Sequence, residues 1–265
     1  MKKFITRAYK ISTEKIKKGT AVKFVVLADQ HGLVFGENNR ELYQAIKNEN
    51  PDAVLIAGDM ICSSNVETLT AAEEFLSVLT ESFPVFYSLG NHEYRLLEDP
   101  LMKREYLRYE RMLTEAGVCF LHNEHVAARI GENEFVFYGL ELPLEFYRKP
   151  KAPYFSIKDM DALLGTPSRY GIRVLLAHNP AYGRTYFSWG SDVIFSGHYH
   201  GGVLRFSENH GLISPQFHLF PAFCCGHFRK GRKHMIVSAG LGEHTIPVRL
   251  HNPRELVIAE LVHGE

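Results

Sequence analysis

Residues 22–31 read VKFVVLADQH, an apolar run that ends abruptly in Asp29, Gln30 and His31. Valine, phenylalanine and leucine dominate Val22 to Ala28, and such runs favour a buried β-strand. The same arrangement of an apolar run followed by polar residues occurs twice more. It is found at Ala53 to Ala57 before Gly58-Asp59, and at Val85 to Leu89 before Gly90-Asn91-His92-Glu93.

The segments between and after these runs have the apolar spacing of amphipathic helices. In the second segment the apolar residues of one helical face are Leu69, Ala72, Phe75, Leu76 and Leu79. Strands that alternate with helices are typical of an α/β fold. We therefore predict three helices in the first half of the chain, at Glu37 to Lys47, Val66 to Leu79 and Met102 to Ala116.

After Gly117 the elements become shorter, but no linker, internal repeat or low-complexity tract divides the chain, so we expect a single domain over residues 1–265. Residues 206–232 are rich in aromatics, Pro and Gly without a clear period, which favours a long ordered loop. The other predicted elements are a helix at Ile157 to Leu164 and strands at Val118 to Leu121, Val126 to Ile130, Glu134 to Tyr138, Arg173 to Ala177, Asp192 to Phe195, Met235 to Ser238, Pro247 to Leu250 and Leu256 to Leu261.

Composition is that of a folded globular protein, with 45% apolar and 23% charged residues in a chain of 265. Lys plus Arg equals Asp plus Glu at 30 each, so no overall field attracts nucleic acid or an anionic membrane. Residues 1–18 carry scattered charges, which predicts a solvated strand or extended arm rather than a signal peptide or transmembrane segment. The four cysteines show no CxxC spacing, and we expect reduced thiols in a cytoplasmic protein.

Polar clusters follow five of the predicted strands. In open α/β sheets, ligands gather outside the carboxyl ends of the strands, so these clusters are expected to converge on one site. Each cluster alone is weak evidence for a functional site, because Gly-Asp is usually a turn and a lone histidine is usually structural. The five together favour a functional site: Asp29-Gln30-His31, Gly58-Asp59, Gly90-Asn91-His92-Glu93, His178-Asn179-Pro180 and Gly197-His198-Tyr199-His200-Gly201-Gly202.

Carboxylate, amide and imidazole ligands suit hard to borderline divalent ions such as Mn, Fe or Zn. A carboxylate at Asp59 has two oxygens and is the natural bridge between two ions roughly 3.5 to 4 Å apart. On this interpretation the sequence predicts two metal ions that share Asp59. One is held by Asp29, His31, Asp59 and His200, and the other by Asp59, Asn91, His178 and His198.

His92 directly follows Asn91 and is predicted to lie beside the metals without binding them. There it would hydrogen-bond a phosphate oxygen or protonate the leaving alkoxide. A hydroxide activated by the metals would attack phosphorus in line. Arg95 has two interpretations of equal weight, a phosphate contact or an exposed charge without that role.

The five clusters, in this order over roughly Val22 to His200, resemble the signature blocks of the calcineurin-like metallophosphoesterases. The resemblance implies a four-layer αββα sandwich, with two central mixed β-sheets flanked by helices, and a dinuclear metal centre with these ligands. The C-terminal part resembles the bacterial branch of phosphodiesterases related to YkuE and YaeI. Its matching segments are Gly197 to Arg205, Leu212 to Pro215, Leu219 to Pro221, Ser238 to Gly242 and Asn252-Pro253.

The resemblance implies a phosphodiesterase acting on a small-molecule or lipid-linked phosphoester. Two alternatives stay open: a pyrophosphatase-type hydrolase of a lipid-linked nucleotide, and a non-catalytic metal-binding scaffold of the same fold. The neutral charge balance disfavours nucleic acid as substrate. The loop at residues 206–232 is a hypothetical substrate wall, although its aromatics would more simply pack the loop onto the domain: Phe217, Phe220, Phe223 and Phe228.

Overall fold

In the computed structural model, residues 2–202, 204–214, 218–243 and 248–264 are described. Within them, strands form two six-stranded sheets. The first sheet has the order β1-β12-β2-β3-β4-β5. Its strands are β1 (Ile5–Ser12), β2 (Ala21–Leu27), β3 (Ala53–Ala57), β4 (Val85–Ser88), β5 (Val118–Phe120) and β12 (Glu255–Val262). Strands β2 to β5 are mutually parallel, whereas β12 pairs antiparallel with β2, so the sheet is mixed.

The second sheet has the order β10-β11-β9-β8-β7-β6. Its strands are β6 (His125–Ile130), β7 (Asn133–Leu140), β8 (Ile172–Ala177), β9 (Val193–Ser196), β10 (Gly226–Lys230) and β11 (Lys233–Val237). The four central strands β7, β8, β9 and β11 are parallel, and the two edge strands pair antiparallel with them. The parallel strands of each sheet carry the polar clusters at their carboxyl ends.

Helices cover the outer face of each sheet. Apolar side chains of the first sheet pack against α1 (Arg40–Glu49), α2 (Glu67–Thr80), α3 (Asn91–Glu98) and α4 (Lys103–Ala116). Those of the second sheet pack against α5 (Ile157–Leu164) and α6 (Gly183–Trp189). A third core fills the space between the two sheets. The four layers therefore follow the order helices, sheet, sheet, helices, as the sequence resemblance implied.

Strand β3 shows why a continuous apolar run is needed at the centre of this architecture. Ala53, Leu55 and Ala57 face the second sheet, while Val54 and Ile56 face the helices. All five side chains are fully buried. A strand covered on both faces cannot alternate between apolar and polar residues, and this is the pattern of buried parallel strands.

Most predicted elements are confirmed within a residue or two. Helices α3 and α6 were not predicted. The loop predicted over residues 206–232 is wrong at its end, because Gly226–Lys230 forms β10 through backbone pairing with β11. The strand predicted at Pro247 to Leu250 is also wrong for its described residues, 248–250, which contribute only the bridge from Leu204 to Leu250. Its first residue, Pro247, lies outside the described residues.

None of the helices in the described ranges combines the length and hydropathy needed to span a bilayer.

His122 connects the two halves of the fold through an ion-pair cluster. Its Nε2 lies 3.1 Å from Glu110 Oε1 on α4, and its Nδ1 lies 2.8 Å from Glu141 Oε1 just after β7. Hydrogen bonds to Glu110 and Glu141 raise the pKa of His122 to about 10. Charged His122 therefore stabilises the folded state near neutral pH.

His122→Gln is expected to lower the free energy of unfolding by about 1 kcal/mol at pH 6, since solvent screens a ring that is partly exposed. An imidazole titrates near 6.5 in the unfolded chain, so the contribution is complete below that pH and is lost as the pH rises toward the folded pKa of about 10. Denaturation curves followed by Trp189 fluorescence at pH 6 and pH 10 measure this difference. His125→Gln, at an exposed histidine, is the control, and an equal loss at both pH values would contradict the prediction.

Candidate metal centre

The carboxyl ends of five strands bring the predicted ligands together. Asp29 and His31 follow β2, and Asp59 follows β3. Asn91 begins helix α3 directly after β4, and His178 follows β8. After β9 come His198 and His200. All of these positions except His31 are buried, so the convergence predicted from the sequence takes place inside the protein.

One group of ligand atoms consists of Asp29, His31 and His200, whose donor atoms all lie within 4.8 Å of one another. The Nε2 atoms of His31 and His200 are 3.2 Å apart, and His200 Nε2 is 3.3 Å from Asp29 Oδ1. These three side chains come from segments separated by up to 171 positions. Their donor atoms point toward a common centre.

A second group consists of Asp59, His178 and His198, again with donor atoms within 4.8 Å. Asp59 Oδ2 lies 3.0 Å from His178 Nε2 in this group. The same Oδ2 lies 3.9 Å from His31 Nε2 in the first group. Asp59 therefore adjoins both groups, and Asp29 does so too, because its Oδ1 lies 3.3 Å from His200 Nε2 and 3.7 Å from His178 Nε2.

Three features of the residues fit divalent cations at this place. Asp29 and Asp59 are 0% and 1% exposed, and buried carboxylates require cationic partners. Asn91 Oδ1 is buried and accepts no hydrogen bond from the described residues, which leaves it available as a ligand. His178 Nδ1 lies 2.7 Å from Ala57 O, an obligate acceptor, so Nδ1 carries a proton and Nε2, which lies 3.0 Å from Asp59 Oδ2, is the nitrogen that a metal ion would bind.

The local field of the site favours positive charge. Burial raises the pKa of Asp29 above its usual value. Burial also opposes ionisation of Asp59, but His178 and His92 outweigh it and hold the pKa of Asp59 well below its usual value. Burial disfavours the His178 cation, yet the Asp59 carboxylate raises its pKa to about 10. The carboxylates thus attract charge that either imidazole protons or metal ions can supply.

Backbone strain is concentrated at the ligands. Five of the seven predicted ligands have a positive φ: Asp29 at 51°, His31 at 49°, Asp59 at 57°, His198 at 66° and His200 at 48°. The left-handed region is uncommon for residues other than glycine and costs of order 1 kcal/mol or more each. Such strain persists only where the surrounding structure imposes it, and it is typical of functional sites.

Two glycines allow the turns after β3 and β4 to touch. Gly58 has a φ of 85°, and a Cβ there would lie 2.6 Å from the Cα of Gly90. A Cβ on Gly90 would lie 2.6 Å from the backbone nitrogen of Asp59 and overlap its carboxylate. The turns that carry Asp59 and Asn91 can therefore approach each other only because Gly58 and Gly90 lack side chains.

Glu93 connects these two turns through hydrogen bonds to its carboxylate. Its fully buried carboxylate accepts hydrogen bonds from the backbone N–H groups of Asp59 at 2.9 Å, Met60 at 2.7 Å and Gly90 at 3.0 Å. The hydroxyl of Tyr87 donates a fourth at 2.7 Å. One carboxylate thus fixes the relative position of the two turns.

Glu93→Gln is expected to lower the free energy of unfolding by about 2 to 3 kcal/mol, because an amide leaves part of this buried donor set without an acceptor. Chemical denaturation of metal-free protein, followed by circular dichroism, measures the loss. Glu98→Gln, at an exposed position of the same helix, is the matched control. A change below about 0.5 kcal/mol, the range of ordinary surface substitutions, would contradict the role given to Glu93.

A cavity of about 590 Å³ opens over the ligands. Its wall includes His92, the cations Lys2, Arg95 and Lys149, and the acids Asp59 and Glu243, and the excess of cations suits it to an anion. Tyr147 also lines it, with its ring centroid 5.0 Å from that of His198. Sequence reasoning missed Lys149 and Tyr147, because both lie in an irregular segment without a motif.

Cys62 is a further wall residue that the sequence did not single out. Its thiol hydrogen-bonds the side chains of His31 and His92, and these contacts lower the pKa of Cys62 to about 4.

The aromatic side chains of residues 206–232, which we considered as a substrate wall, lie elsewhere. Phe223 and Phe228 pack with the core of the second sheet, Phe220 is exposed against Phe206, and Phe217 lies outside the described residues. None of the described aromatics of residues 206–232 lines this cavity.

Known proteins share this chain's sequence pattern and fold. A metallophosphoesterase of Aquifex aeolicus is 29% identical over 96% of this chain and 90% of its own length. Phosphodiesterase YaeI of Escherichia coli is 24% identical over 81% of this chain and 70% of its own length. The structure of phosphopantetheinyl hydrolase from Mycobacterium tuberculosis matches with a TM-score of 0.52 and 14% identity, over 83% of this chain and 89% of that one. That structural likeness shows the fold alone.

A family model described as calcineurin-like phosphoesterase matches residues 22–202, which is more than half of the chain. The matched range contains all five polar clusters and both groups of ligand atoms. The resemblance drawn from the sequence is therefore confirmed. The chain belongs to the calcineurin-like phosphoesterases, a family of metal-dependent phosphoester hydrolases.

Proposed function

We propose that the protein is a phosphodiesterase with a dinuclear metal centre. The observation that carries this proposal is the position of Asp59, whose Oδ2 adjoins both groups of ligand atoms at the floor of a cavity with a basic wall. Asp29, His31, Asp59 and His200 would hold one divalent ion. Asp59, Asn91, His178 and His198 would hold the other.

Bound ions of the Mn, Fe or Zn type would stabilise the charge of the transition state and lower the pKa of the attacking water. The chain's own residues supply the remaining functions. Lys2 and Lys149 attract the phosphate anion into the cavity. His92 lies at the cavity wall and donates a hydrogen bond to the substrate.

Preference for a diester is supported by the name of the relative YaeI, a phosphodiesterase that shares 24% identity with this chain. A diester carries one negative charge, and its second ester group must fit beside the centre. The cavity of about 590 Å³ extends beyond the ligands to Leu33 and Tyr147, which offer contact surface for such a group. The wall of the pocket is therefore not confined to polar residues.

The proposal is tested with protein loaded with Mn, Fe or Zn, whose metal content is measured by elemental analysis. Hydrolysis of bis(p-nitrophenyl) phosphate, p-nitrophenyl phosphate and a nucleoside pyrophosphate is compared. We expect two metal equivalents and the highest kcat/KM on the diester. A single equivalent would contradict the dinuclear centre, and preference for the pyrophosphate would favour a pyrophosphatase. Two equivalents without turnover on any substrate would favour a non-catalytic scaffold.

A further inference from the structure

Nδ1 of His92 has an unusual set of partners. The backbone N–H of Ser63 donates to His92 Nδ1 at 2.9 Å. The Ser63 hydroxyl oxygen lies 3.1 Å from the same nitrogen. Arg95, one turn after His92 on α3, donates from Nη1 to the Ser63 hydroxyl oxygen at 3.1 Å. Arg95, Ser63 and His92 therefore form a chain of hydrogen bonds that ends at His92 Nδ1.

The chemistry of these groups determines the tautomer of His92. A backbone N–H is only a donor, so His92 Nδ1 must present its lone pair. A guanidinium is also only a donor, so Arg95 occupies a lone pair of the Ser63 hydroxyl and directs the hydroxyl hydrogen toward Nδ1. Neutral His92 must therefore carry its proton on Nε2.

His178 has the opposite arrangement in the same cavity. Its Nδ1 faces the carbonyl oxygen of Ala57 at 2.7 Å, which leaves the lone pair on Nε2 for a cation. His92 has no such lone pair on Nε2, because its Nδ1 faces donors. This difference argues against a metal ion at the group formed by His31, Cys62 and His92, although their donor atoms lie within 4.8 Å of one another. The carbonyl of Ala57 and the donor groups of Ser63 thus favour opposite tautomers of His178 and His92.

We propose that Ser63 and Arg95 are positioning residues that hold His92 as an Nε2–H hydrogen-bond donor to the phosphoester oxygens. This inference rests on the proposed phosphodiesterase function. Arg95 then acts through Ser63 and does not bind the phosphate itself, a role that neither sequence interpretation included. His92 then donates from Nε2 to the substrate and is not a metal ligand.

The first test is structural and needs no substrate. The imidazole nitrogens of zinc-loaded protein are observed by ¹⁵N NMR, and the His92 signals are assigned by their absence in His92→Gln. We expect the shift of an unprotonated nitrogen at Nδ1 and of a protonated nitrogen at Nε2. In Ser63→Ala the two tautomers are expected to become mixed. A protonated Nδ1 in the wild type would overturn the inference.

The second test is kinetic, on bis(p-nitrophenyl) phosphate. Ser63→Ala and Arg95→Met are each expected to lower kcat about tenfold, the effect of one hydrogen bond, with KM and metal content unchanged. In the His92→Ala background Ser63→Ala is expected to have no further effect, because its partner is gone. Ser64→Ala is the matched control, since the Ser64 hydroxyl contacts Cys62 Sγ at 3.2 Å and not His92.

Additive effects of Ser63→Ala and His92→Ala would overturn the inference, as would a rise in KM without a loss of kcat in Arg95→Met. A wild type that binds metal but hydrolyses no phosphoester would instead refute the proposed function. The NMR result would still report whether Ser63 sets the tautomer. The two failures are therefore distinguishable.

Discussion

Asp59→Asn is expected to lose metal and activity together. Its carboxylate oxygen lies 3.0 Å from His178 Nε2 and 3.9 Å from His31 Nε2, so it adjoins both groups of ligand atoms. The amide has nearly the same shape but removes the negative charge that two cations would share. Metal ions contribute several kcal/mol to phosphoryl transfer, so we expect kcat/KM to fall about a thousandfold or more.

Metal analysis after dialysis and diester hydrolysis measure the two losses in the same samples. Asp52→Asn is the matched control, because Asp52 is an exposed carboxylate at the opposite end of the same strand β3. It should retain metal and activity. Full metal content and full activity in Asp59→Asn would refute the proposal that this residue bridges the two ions.

His92→Ala is expected to retain both metal ions and to lower kcat about a hundredfold to a thousandfold, the effect of losing a donor that stabilises transition-state charge. The reason is that His92 Nδ1 accepts the Ser63 N–H, so we expect Nε2 to carry a proton and not to bind a metal ion. The loss should be larger for an alkyl than for a p-nitrophenyl leaving group if the donor acts on the departing oxygen.

The measurement is steady-state kinetics on diesters of graded leaving-group pKa, with metal content determined in parallel. His210→Ala, at an exposed surface histidine, is the control for removing an imidazole without touching the cavity. Loss of one metal equivalent in His92→Ala would show that His92 is a ligand. Such a result would also remove the basis of the role given to Ser63.

Elements with a strong periodic pattern were predictable from the sequence, and those without one were not. Strand β3 was predicted at its observed bounds because its residues are apolar on both faces. Helix α3 was missed because its eight residues begin inside a polar cluster and offer too few turns for a period. Strand β10 was missed because its exposed end is basic, and it is a strand only through its pairing with β11.

The same distinction applies to the site, where the candidate ligands were predictable and the residues that support them were not. The candidate ligands could be selected from the sequence, because each one follows an apolar strand and parallel strands end at one edge of a sheet. The roles of Glu93, Cys62 and Ser63 could not. Glu93 bonds backbone groups up to 34 positions away, and no motif indicates which backbone it will meet.

What the sequence alone determined is therefore the family, the order of strands and helices around the clusters, and the residues with metal-binding chemistry. Tertiary structure decided which atoms those residues present to one another. His92 and His178 are the same residue type, yet Nδ1 of the first faces the donor N–H of Ser63 and Nδ1 of the second faces the carbonyl oxygen of Ala57. Periodicity and turn chemistry act over a few residues, whereas a histidine's tautomer depends on a partner that here lies 29 or 121 positions away.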